Sequence, residues 1–232
     1  MFEQITITDI DYIILPEDAR FSAGLDSGLL GAVQLRMVFG TSSKATLIDS
    51  GRVEQNEQTV LRSEIIELSD LRRTKLDKQY LVPQGEFMPQ LYAMLFRGLG
   101  LGSHIAEIEQ TLAYQPGPYH DQLQLDTSMP RILFCFASVN PRGVRQIIGT
   151  DMLSRPLVVH PISHAWFNEP TILHQQLDTM LRVQARWNQV FILSAGNQAP
   201  SKLYTPGGAV HSSEDMEAVY KNDFITAYHF SF

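Results

Sequence analysis

Three polar side chains follow predicted strands, and their chemical types make them the first candidates for function. Asp49 follows Leu47-Ile48, Ser163 closes the apolar run that starts at Leu157, and Asn197 ends a strand together with Gly196. Functional loops of α/β sheets lie at the carboxyl ends of strands, so we predict that these side chains mark a site. A structural alternative stays open, because Asp-Ser-Gly is a common turn and Gly-Asn suits a loop with positive φ.

Two adjacent serines and a single cysteine are further candidates. Ser212 and Ser213 follow a glycine pair and could mimic a nucleophile at a helix start, but Ser212 with Asp215 also resembles a helix capping box. Cys135 is the only cysteine in the chain and lies in an apolar run. We predict an inert buried thiol there, with no disulfide and no cysteine-rich zinc module.

The sequence predicts neither a metal ion nor a cofactor. His160 and His164 are four positions apart, but the stretch between them is extended and contains Pro161. In such a strand these histidines would be roughly 13 Å apart, unlike the paired ligands of a helical metal site. Neither a Gly-x-x-x-x-Gly-Lys loop nor a Gly-x-Gly-x-x-Gly motif after a strand is present, which argues against a nucleotide-dependent enzyme.

The elements that would position these residues alternate between strand and helix. Apolar runs predict buried strands at 132–136, 157–159 and 190–193, with helices over 144–152 and after 168–170 between them. This order is typical of right-handed crossovers in a parallel sheet. We predict an α/β fold with a mainly parallel sheet and helices on both of its faces.

The preceding part of the chain has a less regular pattern. Alternating apolar residues predict a strand at 33–39, and a second short strand is predicted at 45–48. Leucine and isoleucine at helical spacing predict a helix within 54–80. Further helices are predicted over 88–95, with proline in the first turn, and over 103–112.

Composition places the 232-residue chain among ordinary globular proteins, with 44% hydrophobic and 19% charged residues. We predict a single domain over residues 1–232, with residues 1–30 open as an N-terminal extension. A net charge of −7 argues against general nucleic-acid binding. The absence of a long apolar run and of a signal sequence predicts no membrane span and a cytoplasmic location.

The strand-end motifs together resemble those of the subtilisin-like serine proteases. In that family the triad aspartate lies in a motif similar to that of Asp49, and the oxyanion-hole asparagine ends a motif similar to that of Asn197. The resemblance implies a subtilisin-like three-layer sandwich, with Ser163 ending the substrate-groove strand. Gln84 stands where the family has its catalytic histidine, and no nucleophile motif follows Asn197. Because glutamine is not a base near neutral pH, the resemblance implies an inactive domain.

We therefore predict a catalytically inactive subtilisin-like domain, a pseudoprotease that acts as an adaptor through protein–protein contacts. Asp49, Gln84 and Asn197 would be its degenerate catalytic remnants. The predicted partner is a protein or peptide, and the chain could be a subunit of a hetero-complex. An extended segment would pair with the free edge of the groove strand. The predicted binding residues are Ser163, Trp166 and Phe167.

Two alternatives stay open at the level of sequence. One is a serine hydrolase or peptidase with a non-standard catalytic constellation, using Ser212 or Ser213 or completed by a second chain. The other is an α/β adaptor subunit that is unrelated to the proteases.

Overall fold

A computed structural model describes most of the chain. The described residues are 11–22, 44–55, 58–83, 86–111, 114–117, 125–126, 129–149, 157–164, 171–197, 199–218, 220–221, 226–228 and 230. The predicted strand at 33–39 lies outside them. None of the helices in these ranges is long and apolar enough to cross a membrane.

The four strands of the first sheet lie side by side in the same order as they occur along the chain. Its strands are β1 Tyr12–Ile14, β2 Thr46–Gln55, β3 Gln58–Glu67 and β4 Arg73–Asp77. β1 runs parallel to β2, whereas β2, β3 and β4 are antiparallel neighbours. β2 and β3 pair over ten residues each, from Thr46 opposite Glu67 to Gln55 opposite Gln58.

The second sheet has five strands, and its central part is parallel. Its strands are β5 Arg131–Ile132, β6 Val158–Ser163, β7 Ile192–Asn197, β8 Lys202–Tyr204 and β9 Val210–Ser212. β5, β6 and β7 are parallel, and β8 and β9 extend the sheet in antiparallel fashion. In the register of β6 and β7, Ser163 lies opposite Asn197.

Four α-helices and a small ribbon complete the described elements. The helices are α1 Gln90–Gly98, α2 Gly102–Thr111, α3 Gly143–Ile148 and α4 Thr171–Asn188, and β10 Tyr220–Lys221 pairs with β11 Thr226–Ala227. α3 ends at Gly149, where φ is +72° and a residue without Cβ is favoured. Short 3₁₀ helices follow β5 and β9 at Cys135–Val139 and Ser213–Asp215.

The two sheets pack face to face, with a fully buried apolar layer between them. Ile48, Ile65 and Leu76 from the first sheet contact Ile132 and Val159 from the second. α3 and α4 cover the other side of the second sheet through a cluster that includes Val144, Val158, Leu181, Ala185 and Ile192. The outer side of the first sheet buries another cluster: Ala45, Leu47, Ile66 and Leu68.

The predicted subtilisin-like fold, with one mainly parallel sheet, is wrong. The chain forms two mixed sheets, and Asp49 lies in the first while Ser163 and Asn197 end strands of the second. The predicted helix within 54–80 is also wrong, since those residues form β3, β4 and the end of β2. The parallel pairing of β6 with β7 on either side of α4 agrees with the sequence prediction.

Packing between the sheets predicts a strong position dependence for isoleucine truncation. Ile65 is 1% exposed in the layer between the sheets, whereas Ile172 on α4 is 66% exposed. We expect Ile65→Ala to lower the free energy of unfolding by about 2–5 kcal/mol, because it removes buried methyl groups and leaves a cavity. Ile172→Ala should change it by less than about 0.5 kcal/mol. Denaturant titration of both variants measures this, and equal losses would contradict the packing described.

Candidate active site

One lysine and two glutamate side chains lie together in the interior. The ammonium Nζ of Lys78 is 2.5 Å from Oε1 of Glu86 and 3.4 Å from Oε1 of Glu17. Lys78 is 1% exposed, and each glutamate is 6% exposed. Because a buried charge without a partner is very unfavourable, each of the three groups depends on the others for its place in the interior.

Each of these side chains follows closely after a strand or a turn. Glu17 comes three residues after β1, and Lys78 comes directly after β4. Glu86 is held by the backbone of Val82, whose N–H donates to Oε2 over 2.8 Å and whose carbonyl accepts from the Glu86 N–H over 2.8 Å. The backbone N–H of Lys78 donates to the carbonyl of Leu61 in β3, which fixes the lysine against the sheet.

Burial and mutual charge set the protonation of this group. Burial raises the pKa of Glu17 above its usual value, and the charge of Glu86 adds to this, while Lys78 opposes it. Burial alone would lower the pKa of Lys78, but the two carboxylates outweigh it and the pKa is raised. Lys78 therefore stays a cation, and Glu17 titrates closer to neutral pH than an ordinary carboxyl group.

Cys135 follows the carboxyl end of β5 and lies next to the same three charged side chains. It opens the 3₁₀ helix Cys135–Val139 and is partly exposed. Burial raises the pKa of its thiol, the carboxylates of Glu17 and Glu86 raise it further, and Lys78 lowers it. The backbone N–H of Ser163 is in hydrogen-bonding position to both the thiol and the carboxylate of Glu17. A thiol, a cation and two carboxylates thus share one small volume.

Contacts to the carbonyl group of Cys135 fix the backbone that carries the thiol. The carbonyl of Cys135 accepts from Oγ of Ser138 over 2.6 Å and lies 3.3 Å from Nε2 of His160. Nδ1 of the same histidine lies 2.9 Å from Oγ of Ser194. Burial lowers the pKa of His160 to about 4, so the ring is neutral at pH 7 and can donate from Nε2 to the carbonyl. The histidine positions the turn. Because its ring is buried away from solvent, it does not act as a base.

A cavity of about 390 Å³ opens next to these groups. Its described lining residues are Glu17, Asp18, Arg52, Leu61, Glu86, Tyr114, Ser163 and Asn197. A larger cavity of about 670 Å³ lies against β3, β4 and the residues Leu125, Asp126, Met129 and Pro130, and its lining includes none of the three charged side chains. The smaller cavity is adjacent to the charged group, because Glu17 and Glu86, which contact Lys78, belong to its lining, although Lys78 and Cys135 do not.

The residues singled out from the sequence fall at different places. Ser163 and Asn197 line the cavity, and Oδ1 of Asn197 accepts from the backbone N–H of His164 over 2.9 Å. Asp49 is fully buried in β2, where Oδ2 accepts from the backbone N–H of Ser22 over 2.5 Å. Gln84, Trp166 and Phe167 lie outside the described residues. Binding or catalytic roles for these six residues stay predictions.

The serine candidates accept structural hydrogen bonds, and the histidine candidate His164 makes a ring contact. Oγ of Ser212 accepts from the backbone N–H of Glu214, and Oγ of Ser213 accepts from that of Ser201. His164 contacts His174 ring to ring, with centroids 4.8 Å apart. Within the described parts of the chain, no group of three or more His, Cys, Asp and Glu side chains is placed to hold a metal ion.

The sequence analysis did not assign four residues to the site: Glu17, Lys78, Glu86 and Cys135. The strand-end rule that selected Ser163 also applies to Cys135, which follows β5 in the same parallel sheet. The prediction of a buried thiol agrees with the pKa of Cys135, which burial raises, whereas its position beside Lys78 was not predicted. No local signal joins Lys78 to Glu17, because they are 61 positions apart and belong to different strand ends.

No family model and no curated protein matches the sequence significantly. Solved structures do match, and they are carbon–nitrogen hydrolases. A mutant of the amidase from Nesterenkonia sp. AN1 matches with a TM-score of 0.53 and 16% identity, over 86% of this chain and 74% of the amidase. That structure shows Michael addition of acrylamide at the active-site cysteine of the amidase.

Two further structures agree with the first. Nit3 of Saccharomyces cerevisiae, a member of the nitrilase superfamily, has a TM-score of 0.53 and 14% identity, over 87% of this chain and 71% of Nit3. The carbon–nitrogen hydrolase superfamily protein XC1258 from Xanthomonas campestris, with an arsenic adduct in its active site, has the same score and identity, over 89% of this chain and 76% of XC1258. The chain thus shares the two-sheet sandwich of the carbon–nitrogen hydrolases.

These comparisons correct the predicted family and the predicted function. The resemblance to subtilisin-like proteases is wrong, because the matching structures are carbon–nitrogen hydrolases. The prediction of an inactive pseudoprotease adaptor is wrong for the same reason.

The neutral, buried His160 predicts a specific dependence of stability on pH. An unfolded histidine binds a proton near pH 6.5, whereas folded His160 does so only near pH 4. Between these values the unfolded state binds more protons, so acidification lowers the stability of the folded state. We expect His160→Gln to lose this contribution, so that the difference in unfolding free energy between wild type and variant shrinks by roughly 3 kcal/mol from pH 7 to pH 4.

Denaturant titrations at pH 4 to 7 measure this difference. His211, which is exposed on β9, supplies the matched control, and His211→Gln gives the baseline against which the pH dependence of His160→Gln is compared. A difference between wild type and His160→Gln that does not depend on pH would show that folded and unfolded His160 bind protons alike, and it would contradict the lowered pKa.

Proposed function

We propose that this protein is a cysteine-dependent hydrolase that cleaves amide carbon–nitrogen bonds. The observation that carries the proposal is the placement of Cys135 beside the buried group of Lys78, Glu17 and Glu86, at a cavity. The likeness of the fold to an amidase with an active-site cysteine supports it. The nucleophile in this proposal is the thiol of Cys135.

The raised pKa of the Cys135 thiol requires a base at the moment of attack. The thiol is protonated at pH 7, so its proton must leave as sulfur approaches the carbonyl carbon. Glu86 already accepts from Lys78 and from the Val82 N–H, whereas Glu17 makes the longer contact to Lys78 and has a raised pKa. Glu17 is therefore assigned as the general base, since its pKa lies nearer to the working pH.

Lys78 is assigned to the negative charge that develops on the carbonyl oxygen. Its ammonium stays protonated because of the two carboxylates, and burial strengthens its field. When Glu17 takes the proton of Cys135 it becomes neutral, and the charge of Lys78 is then balanced by one carboxylate fewer. The ammonium can therefore attract the negative charge that develops on the reacting atoms. Glu86 keeps the ammonium in place through the 2.5 Å contact and acts as a positioning residue.

The reaction balances over two steps. Sulfur attacks the carbonyl carbon while Glu17 takes the thiol proton, and the amine leaves with that proton as a thioester forms on Cys135. Water then attacks the thioester, Glu17 takes a proton from the water, and the same proton returns to the sulfur as the carboxylic acid leaves. One water molecule is consumed, and an acid and an amine are produced.

The wider setting of the protein is part of the proposal. A single domain over residues 1–232 is supported by the pairing of β1 with β2, which joins the amino-terminal segment to the first sheet. A cytoplasmic location and the absence of a nucleic-acid partner are supported by composition and by the net charge of −7. Association with a protein partner in a hetero-complex is retained as a proposal from the sequence.

Substitution of the cysteine separates this proposal from a serine hydrolase. We expect Cys135→Ala to abolish hydrolysis of a panel of simple amides, with a loss of at least about 10³-fold in kcat, because no other thiol exists in the chain. Ser212→Ala and Ser213→Ala should stay within about twofold of wild type. Release of ammonia or amine measures the rate, and activity that survives Cys135→Ala but not a serine substitution would contradict the proposal.

The raised pKa of Glu17 predicts the acidic limb of the pH profile. Glu17 must be ionised to accept a proton, so kcat/KM should fall as pH drops through its pKa, above the range of an ordinary carboxyl near 4.3. Glu17→Gln should lower kcat by about 10²-fold or more and remove this limb. A profile that is unchanged in the glutamine variant would assign the base to another group.

A further inference from the structure

The segment at residues 18–22, which follows Glu17, lies along β2 and is attached to it at two places. The backbone N–H of Arg20 donates to the carbonyl of Ser50 over 3.1 Å, and that of Ser22 donates to Oδ2 of Asp49 over 2.5 Å. Asp49 is fully buried, and the proposed reaction does not use it. Burial raises the pKa of its carboxyl group, and the hydrogen bond from Ser22 opposes this increase. A buried acceptor of this kind needs a donor, so Asp49 fixes the segment to the sheet.

The turn that begins the segment has an unusual backbone. The φ angle is +64° at Asp18 and +57° at Arg20, a left-handed conformation that residues with a Cβ adopt infrequently. The two side chains bind each other, with Nε of Arg20 2.6 Å from Oδ1 of Asp18 and Nη2 3.1 Å from Oδ2. This bidentate pair closes the turn at residues 18–20. Because the turn starts directly after Glu17, it sets the direction in which the Glu17 side chain leaves the backbone.

The surface of β2 is shaped to receive this turn. A Cβ atom at Gly51 would lie 3.0 Å from Cγ of Arg20, so any other residue there would press on the turn. The Nε atom of Arg52 lies 3.5 Å from Oδ2 of Asp18. With the two attachments above, each of residues 49–52 contacts the segment. Four consecutive residues of one strand therefore hold the backbone that follows the proposed base.

The location of the Glu17 carboxylate is critical because charged and reactive groups face it. Lys78 attracts the carboxylate, Glu86 repels it, and the thiol of Cys135 lies next to it. A general base must be within hydrogen-bond reach of the proton that it takes. A displacement of about 1 Å at a catalytic group lowers the rate by up to about 10²-fold.

We propose that Asp49 and the ion pair of the turn are positioning residues, which hold the carboxylate of Glu17 at the thiol proton. This inference rests on the proposed role of Glu17 as general base and names the residues that orient it. Neither Arg20 nor Asp49 belongs to the described lining of the cavity. Their loss should therefore lower kcat through Glu17 and leave KM nearly unchanged.

Arg20→Gly tests the turn and should fold normally, because glycine adopts a φ of +57° without strain. We expect kcat for simple amides to fall at least about tenfold, with KM within about twofold of wild type. Arg72→Gly supplies the matched control, since Arg72 is also exposed and forms a 2.6 Å ion pair with Glu67 of β3. This control should keep the wild-type kcat. Equal losses in the two variants, or full kcat in Arg20→Gly, would overturn the inference.

Asp49→Asn and Asp49→Ala test the attachment of the segment to β2. Asparagine keeps an oxygen that accepts from the Ser22 N–H, whereas alanine leaves this donor without its partner. Asp49→Asn should therefore retain most of the wild-type kcat, and Asp49→Ala should lose as much as Arg20→Gly. Unfolding midpoints show that each variant is folded at the assay temperature. The same kcat in the asparagine and alanine variants would contradict a positioning role for Asp49.

The pKa of Glu17 gives a readout that needs no turnover. Carbon-13 NMR of the side-chain carboxyl groups follows its titration in Cys135→Ala protein, with Glu17→Gln to assign the resonance. Because the turn holds Glu17 away from water, adding Arg20→Gly should lower this pKa toward about 4.3, the ordinary value, and adding Arg72→Gly should not. This result supports the inference even if no amide is hydrolysed, so its failure and that of the proposed reaction are distinguishable. An unchanged pKa of Glu17 in the Arg20→Gly protein would overturn it.

Discussion

The site depends on one costly interaction, a lysine ammonium placed almost completely out of contact with water. Lys78 is 1% exposed, and removing an ion of this size from water costs several kcal/mol unless partners compensate. Glu86 at 2.5 Å and Glu17 at 3.4 Å supply that compensation. Burial raises the pKa of Glu17, and the second carboxylate, Glu86, adds to this increase, so Glu17 can take up a proton more readily than an ordinary carboxylate.

The packing of two sheets brings these groups together. Glu17 and Lys78 follow β1 and β4 of the first sheet, whereas Cys135 follows β5 of the second. The backbone N–H of Ser163, at the end of β6, lies against both Glu17 and Cys135 and so connects the two sheets at the reacting atoms. Any slip of one sheet across the apolar layer would separate the thiol from Glu17, so the proposed activity depends on the packing of the core.

The sequence predicted the second half of the chain better than the first. The parallel strands β6 and β7 have continuous apolar runs that are typical of a sheet covered on both faces. β3 is also buried on both faces, because Ile65 points to the layer between the sheets and Ile66 to the outer cluster. Burial of consecutive residues removes the period of two, and the remaining leucine spacing resembles that of a helix.

The candidate site was harder to predict than the elements. Helix α1 forms where its pattern indicates, yet Leu91 and Met94 are 77% and 69% exposed, so an apolar spacing did not identify a buried face there. Asp49 fitted a known motif by its local sequence, although β2 places it in a different sheet from Asn197. Glu17, Lys78 and Cys135 meet only through tertiary packing, and no short motif in a single sequence carries that information.

The central claim is that Cys135 becomes acylated during amide cleavage, and trapping of the acyl-enzyme tests it most directly. Wild-type protein is mixed with a rapidly reacting amide or the corresponding ester, quenched in acid, and measured as intact protein and as peptides by mass spectrometry. Because the chain has one cysteine, a thioester adduct can be assigned without ambiguity. The account predicts an adduct of the acyl mass on the peptide that contains Cys135, and its absence in Cys135→Ala. An adduct on a serine, or turnover with no adduct on Cys135 at any quench time, would contradict it.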